Sequence, residues 1–296
     1  MTFVADPAGS RLKARYGVGE AVPGGVRLAP PEAAWCILGG RIEGDLAATL
    51  RGQEAACLVY CDLRERGLVV GLQGGRFGVW PRGGSPPQAP SYVVVPFGER
   101  QTLDAAGFAS LLGQVVGVAD EDGAVTYYKV DEAVPKGERR PGPLPPAHGT
   151  ALGEHVLVTD EAAKAWHEKE GIGIQQGPAF VLSLVEAEHL RRRGVLKPDG
   201  DLHAETALLA VHDALRSRGL LAKSGFKFGT DFRAYASGVG DEHAEWLVQA
   251  APPGTTLRWN VLARGIRVAH GVRKRFLLAV LEKSGVRFAE LSWFKP

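Results

Sequence analysis

Leu63-Arg64-Glu65-Arg66-Gly67-Leu68 returns later in the chain as Leu215-Arg216-Ser217-Arg218-Gly219-Leu220, displaced by 152 residues. Working outward, Leu28, Glu32, Ala33 and Gly40 recur 154 residues on as Leu182, Glu186, Ala187 and Gly194. Gly74 and Phe77-Gly78 echo Gly225 and Phe228-Gly229 at a displacement of 151, and Val115 to Val118 match Leu277 to Val280 at 162. A nearly constant offset over four blocks marks an internal repeat. Each copy has the size of an ordinary domain. Between the copies, residues 134–146 carry five prolines and two glycines. Such a stretch forms neither a helix nor a central strand and reads as an extended linker. The expected organisation is a first repeat over 1–133, a linker over 134–150, and a second repeat divided at 151–223 and 224–296.

The first half of each copy reads as mostly helical. Pro31 to Leu38 and Leu184 to Arg193 are predicted helices stopped by Gly40 and Gly194, and Ala204 to Arg218 is a further helix closed by Gly219. The second half is mixed. Phe226, Phe228, Phe232 and Ala234 alternate with polar residues up to Tyr235, which predicts a half-buried strand. Trp246 to Val248 is a second strand, Thr256 to Leu281 a long helix passing into an apolar strand, and Val286 to Trp293 the last strand. Alternating elements of this kind give an α/β (α+β) fold in tandem.

Bulk properties narrow the function classes. Of 296 residues 45% are hydrophobic and 23% charged, as in a soluble packed protein, and the formal net charge of +2 leaves any nucleic-acid surface to local patches. No apolar run is long enough for a membrane helix. Met1 to Asp6 lacks a basic stretch leading into an apolar core, so no signal peptide and a cytoplasmic location are expected. Three cysteines do not make a disulfide framework, and Cys36, Cys57 and Cys61 sit in apolar surroundings as reduced core residues. No metal or cofactor site is read from the sequence.

Three polar residues of the second copy stand where chemistry could use them. Tyr235 is opposite the phenylalanines on its strand, His243 follows a glycine-containing turn, and Lys274 ends a stretch in which Arg264, Arg267 and Gly271 share a helical face with it. Singly each is weak: a strand tyrosine packs, a loop histidine is solvated, and a basic stripe is usually a solvated face. Comparison of the copies gives them weight. The first copy has Trp80, Ala89 and Leu112 at those places and a shorter preceding helix. One copy keeps the framework without the three polar groups.

The stretch from Gly225 to Tyr235, then His243, then Arg267 to Lys274, resembles the signature of the archaeal tRNA-splicing endonuclease family, in its form with two repeats fused in one chain. Gly271 stands where that family commonly has serine, and the loop from Tyr235 to His243 is slightly short. The resemblance implies that the catalytic half has a restriction-endonuclease-like fold. It implies a metal-independent cut of precursor tRNA at a bulge–helix–bulge, in which the ribose 2′-OH attacks the adjacent phosphorus and leaves a 2′,3′-cyclic phosphate and a 5′-OH. Tyr235 takes the place of general base, His243 of general acid and Lys274 of the cation facing the phosphorane, with no cofactor and no metal. An unperturbed tyrosine titrates near pH ~10, so a base role calls for a cation beside it. Bulged bases are gripped by planar cations and aromatics. The resemblance puts Arg267 in that role, with Trp293 as its candidate partner and Arg264 beside it. It also implies a homodimer, since one chain has one triad for two bulges. The acidic turn Asp120-Glu121-Asp122 is then the loop that plugs into a second subunit, although a solvated hairpin turn reads equally well from the residues.

Two other readings stay open on sequence alone. One is a metal-dependent nuclease using Asp231, Asp241 and Glu242, which requires carboxylates converging on a divalent cation. The other is a non-catalytic RNA-binding or assembly subunit, as the first copy would be by itself.

Overall fold

A computed structural model of the chain describes residues 1–84, 87–237 and 244–296, with the side chain of residue 106 left aside. The chain divides into two compact units, one of residues 1–131, 257–262 and 292–296, the other of residues 132–256 and 263–291. Among the described residues no helix is long and apolar enough to cross a membrane.

In the first unit the order is β1 (Thr2–Ala5), α1 (Ala8–Tyr16), β2 (Glu20–Val22), β3 (Gly25–Leu28), α2 (Pro30–Leu38), α3 (Leu46–Leu50), α4 (Glu54–Glu65), β4 (Val69–Gln73), β5 (Arg76–Trp80), β6 (Tyr92–Gly98), β7 (Thr102–Leu103), α5 (Ala105–Ala109), β8 (Gln114–Ala119) and β9 (Val125–Ala133). Strands β1-β3-β2 form a small antiparallel sheet. Five strands run β4-β5-β6-β8-β9, antiparallel except for the parallel pair β6/β8. The three cysteines are free and buried in the core that α2 and α4 share with these strands, as expected.

The second unit carries β10 (Ala147–Leu152), β11 (His155–Val158), α6 (Ala162–Glu170), β12 (Ile174–Gln176), β13 (Ala179–Ser183), α7 (Leu184–Arg192), β14 (Leu196–Asp199), α8 (Thr206–Ser217), β15 (Leu221–Ser224), β16 (Phe232–Tyr235) and β17 (Trp246–Ala251). There follow β18 (Leu257–Arg258), which pairs with β7, then α9 (Trp259–Gly271), β19 (Arg275–Glu282) and β20 (Gly285–Phe294). Here the five strands run β15-β16-β17-β19-β20, again antiparallel except for the parallel pair β17/β19. Strand order and sense are therefore the same in both units. Residue registers agree too: Phe77 pairs with Val94 and Val94 with Val115, as Phe232 pairs with Val248 and Val248 with Leu277.

Side-chain bonds repeat with the backbone. Glu32 accepts hydrogen bonds from the N–H groups of Gly19 and Ala29, and Glu186 accepts from Gly173 and Ser183, each partner displaced by 154. Both glutamates are buried at the N-terminal turn of their helix, where a carboxylate satisfies otherwise unpaired donors. Arg64 donates to the carbonyl of Tyr16, and Arg216 to that of Glu170. The second unit adds charge at these places. Lys223 reaches Glu186 at 2.6 Å, and the Glu170 carboxylate takes Arg193 at 2.7 Å as well as Arg216.

One element departs from the period-2 reading. Phe226 to Phe228 is a single 3₁₀ turn rather than strand, and Phe226 is exposed. Gly229 closes that turn with φ +67°, a conformation alternation cannot signal. The strand starts only at Phe232, where Phe232 and Ala234 face the core under α8 and Tyr235 faces the other way. The proline-rich stretch stays extended and is docked on the second unit. Gly137 and Arg139 donate to the carbonyls of Arg218 and Gly219, and Glu138 to that of Ala236.

Burial pushes the Glu186 carboxyl up, but the Lys223 ammonium and the backbone donors outweigh it and hold it below the usual carboxylate range. Its contribution is thus fully present above pH ~4.3 and is lost as pH falls through the lowered folded value. Glu186→Ala strands a buried lysine and is expected to cost ~3–5 kcal/mol at pH 7. Glu32→Ala removes only the backbone bonds and should cost ~1–3 kcal/mol. Urea unfolding of the two variants checks the order; equal losses would show that the ion pair adds nothing.

Candidate active site

Strands β15 and β16 place Leu221 opposite Tyr235 and Lys223 opposite Arg233, so these four side chains share one face. Tyr235 is buried there with Leu221 and Ala244. Beside it is a cavity of about 580 Å³ whose lining includes Tyr235, Arg233, Asp231, Lys223, His212 and His167.

Lys274 comes to this place from the end of α9, by a route the sequence reading misplaced. It is not on the helix, which ends at Gly271. Arg273 has φ +57°, its N–H bonds the carbonyl of His270, and the N–H of Lys274 bonds that of Ala269. This is a Schellman stop with arginine where glycine is usual. It turns Lys274 away from the helix face of Arg264 and Arg267, and its ammonium donates to the carbonyl of Ala244 at 2.7 Å. Ala244 therefore meets both Tyr235 and Lys274, and it is the chain neighbour of His243. His243 itself lies outside the described residues, as do Asp241 and Glu242.

Burial pushes the Lys274 ammonium below its ordinary value, the Arg233 guanidinium pushes the same way, and Glu245 opposes them. Arg233, which donates to the carbonyl of Ser224 at 2.8 Å, is a site cation that the sequence reading passed over. Its signal was available, since residues two apart on a strand share a face and Arg233 is two before Tyr235. Asp231 is tied down: its carboxylate accepts from Gln249 at 2.8 Å and from the N–H of Ala250 at 2.7 Å, while burial pushes its pKa up.

The first unit shows what the same strands do without this chemistry. Trp80 occupies the register of Tyr235, Gly71 that of Lys223 and Gly78 that of Arg233. The Trp80 indole lies over both glycines; a Cβ at Gly71 would come within 3.0 Å of it and one at Gly78 within 2.8 Å. Its N–H donates to the carbonyl of Gln88. Where the second unit has a cavity lined by charged side chains, the first has a buried ring.

The remaining predicted residues are on other elements. Arg264 and Arg267 are on the exposed face of α9, opposite buried Leu262, Ile266 and Ala269. Trp293 belongs to the first unit, half-exposed on a recess shared with Arg66 and Tyr127. Asp120 to Asp122 form the turn between β8 and β9 in that unit. The Asp120 carboxylate closes the turn by accepting from the N–H groups of Asp122 and Ala124, and Glu121 pairs with Arg100.

Comparison with known proteins fits this geometry. A family model described as the tRNA intron endonuclease catalytic C-terminal domain matches residues 207–288, and one described as the N-terminal domain matches 147–208. A tRNA-splicing endonuclease of Haloarcula marismortui is 34% identical over 97% of this chain and 94% of its own length. One from Natronomonas pharaonis is 35% identical, covering 95% and 93%, and one from Methanosarcina barkeri is 30% identical, covering 90% of each.

The left-handed Arg273 generates a stability test. Arg273→Gly removes the steric penalty and should leave stability unchanged or raise it by up to ~1 kcal/mol. Arg273→Val puts a β-branched residue in the same conformation and should lower it by ~1–3 kcal/mol. Chemical denaturation of both reads the difference.

Proposed function

This chain belongs to the tRNA intron endonuclease family and is a tRNA-splicing endonuclease acting on precursor tRNA, and from that premise we propose how it cuts. It cleaves at bulge–helix–bulge junctions by attack of the ribose 2′-OH on the neighbouring phosphorus, giving 2′,3′-cyclic phosphate and 5′-OH ends. Tyr235 takes the 2′-OH proton. His243 gives a proton to the leaving 5′-oxygen, which suits a group that titrates near neutral pH. Lys274 faces the charge that builds on the phosphorane oxygens. The observation that carries this reading is the meeting of Tyr235 and Lys274 at Ala244, next in the chain to His243.

The chain is a tandem repeat in this reading, with residues 1–133 structural, residues 134–150 the linker, and the second copy catalytic, its last part restriction-endonuclease-like. Identical strand order, matching register and the duplicated glutamate and arginine bonds support the doubling. The Trp80 ring over Gly71 and Gly78 supports a silent first copy. The enzyme works as a cytoplasmic homodimer, so that two triads serve two bulges. Arg267 with Arg264, and Trp293, grip bulged bases. The alternative metal-dependent reading is disfavoured because the Asp231 carboxylate is already engaged by Gln249 and Ala250.

Cleavage of a bulge–helix–bulge RNA in EDTA, with end-group analysis, tests the mechanism. Wild type is expected to cut; His243→Ala should lose ~10²–10⁴-fold and Lys274→Ala ~10²–10³-fold in rate while remaining folded. A cut abolished by EDTA and restored by Mg²⁺ would replace this mechanism with the metal-dependent one. The dimer loop is best tested at Glu121 and Asp122, since Asp120 holds its own turn. Reversing both to lysine should dissociate the dimer in sedimentation; an intact dimer removes the loop from the interface.

A further inference from the structure

The packing of α7 on α8 brings together three residues that the proposed chemistry does not use. His189, His212 and Asp213 each present a ligand atom, and all three atoms lie within 4.8 Å of one another. His189 Nδ1 is 2.6 Å from the Asp213 carboxylate and His212 Nδ1 is 3.6 Å from it. His212 is 1% exposed, and neither of its ring nitrogens has a hydrogen-bond partner among the described residues. Burying an imidazole with both nitrogens unpaired is costly, and natural cores rarely leave such groups without a partner or an ion.

The first unit has other side chains at these positions. The offsets that align the two copies place Trp35, Cys61 and Tyr60 at the positions of His189, Asp213 and His212. Tyr60 packs its ring on Phe77 at 5.7 Å, and His212 packs on Phe232 at 6.2 Å in the same register. An aromatic ring fills this position in both units, and in both its polar atoms lack a hydrogen-bond partner among the described residues. In the second unit all three positions are instead metal-ligating types.

We propose that His189, His212 and Asp213 hold a divalent transition metal, with the ligand chemistry of Zn²⁺, and that the ion clamps α7 to α8. Two imidazoles and one carboxylate suit that ion, with ligand bonds of ~2.0–2.2 Å and a fourth position for water. Closing on one centre replaces the present hydrogen bond between His189 and Asp213 with bonds to the ion. Asp213 is more than a third exposed, which leaves an entry path and a solvent side for the water. Ligating nitrogens must be free of protons, so binding weakens at acid pH. The clamp joins the segment matched by the N-terminal domain model to the segment matched by the catalytic one. The three residues have no assigned part in the metal-free cleavage chemistry, although His212 also lines the cavity beside Tyr235. Period and spacing could not reveal the site, since His189 and His212 are 23 residues apart and meet only when the helices pack.

The test uses the full-length enzyme, stripped with chelator and titrated with Co²⁺ and Zn²⁺. One equivalent of Co²⁺ per chain should bind and develop the visible absorption of a low-coordinate nitrogen and oxygen site. Zn²⁺ should displace it and raise the melting temperature. Asp213→Asn and His189→Gln should each weaken binding at least ~tenfold. His212→Tyr, which installs the residue the first unit uses, should abolish binding in a folded protein. Absence of saturable one-to-one binding, or unchanged binding in Asp213→Asn and His189→Gln, overturns the site and leaves His212 as a packed aromatic. Cleavage by the stripped enzyme is read separately, so loss of the metal site and loss of the proposed mechanism are distinguishable.

Discussion

Lys223 and Glu186 meet inside the second unit, each less than a tenth exposed, and the placement of the catalytic strands depends on that contact. Glu186 is first a helix-capping carboxylate, as Glu32 is in the first unit. The lysine opposite it is the addition. It stands on β15, beside the strand that carries Arg233 and Tyr235, and also donates to the carbonyl of Gly173. One ammonium thus ties the edge of the catalytic strands to the small sheet and helix of the preceding subdomain. Buried pairs of this kind are not strongly stabilising compared with apolar packing, but removing one partner is expensive. Their use here is positional: the charge has one place where it is satisfied, and that place sets where β15 lies.

The sequence reading took the first half of each copy as helical and so missed the small sheets β1-β3-β2 and β12-β13-β11-β10-β14. The structure matches the predicted α2, α7, α8, β17 and β20 to within a few residues, and resolves the predicted helix-then-strand stretch into α9 and β19. Two misreadings share a physical cause. Periodicity reports side-chain direction, whereas the turn at Phe226 and the stop after Gly271 are decided by backbone conformations with positive φ, at Gly229 and Arg273. The first removed half of the predicted strand and left Phe226 in solvent. The second took Lys274 off its helical face and directed it to Ala244, so its apparent alignment with Arg264 and Arg267 was an accident of spacing. Arg233 was legible by strand period and was overlooked. The His189–His212–Asp213 cluster was not legible, because helix–helix packing and not spacing brings it together.

Doubling a domain offers two ways to use one scaffold, and the exchange at a single pair of strands shows how little separates them. Lys223, Arg233 and Tyr235 line a cavity, while Gly71, Gly78 and Trp80 fill the corresponding space with an indole. The indole needs both glycines, since any Cβ would intrude on it. In the proposed reading, the silent copy is thus not a catalytic copy with three residues deleted. It has been repacked as core, with apolar burial stabilising what charge and hydrogen bonds hold in its partner.

The proposed reaction places modest demands on such a scaffold. Its nucleophile is part of the substrate, four bonds from the atom attacked, so the protein need not deliver water or a metal-bound hydroxide. What remains is proton transfer and stabilisation of charge on phosphorus. A lysine ammonium has three donors, and Lys274 commits one to the carbonyl of Ala244. That bond fixes the cation without neutralising it, as a carboxylate partner would. Burial and Arg233 lower the cost of its giving up a proton, and Glu245 moderates them. The same geometry therefore supplies a positioned cation whose remaining donors suit phosphate oxygens, beside the one tyrosine that the first unit replaces with tryptophan.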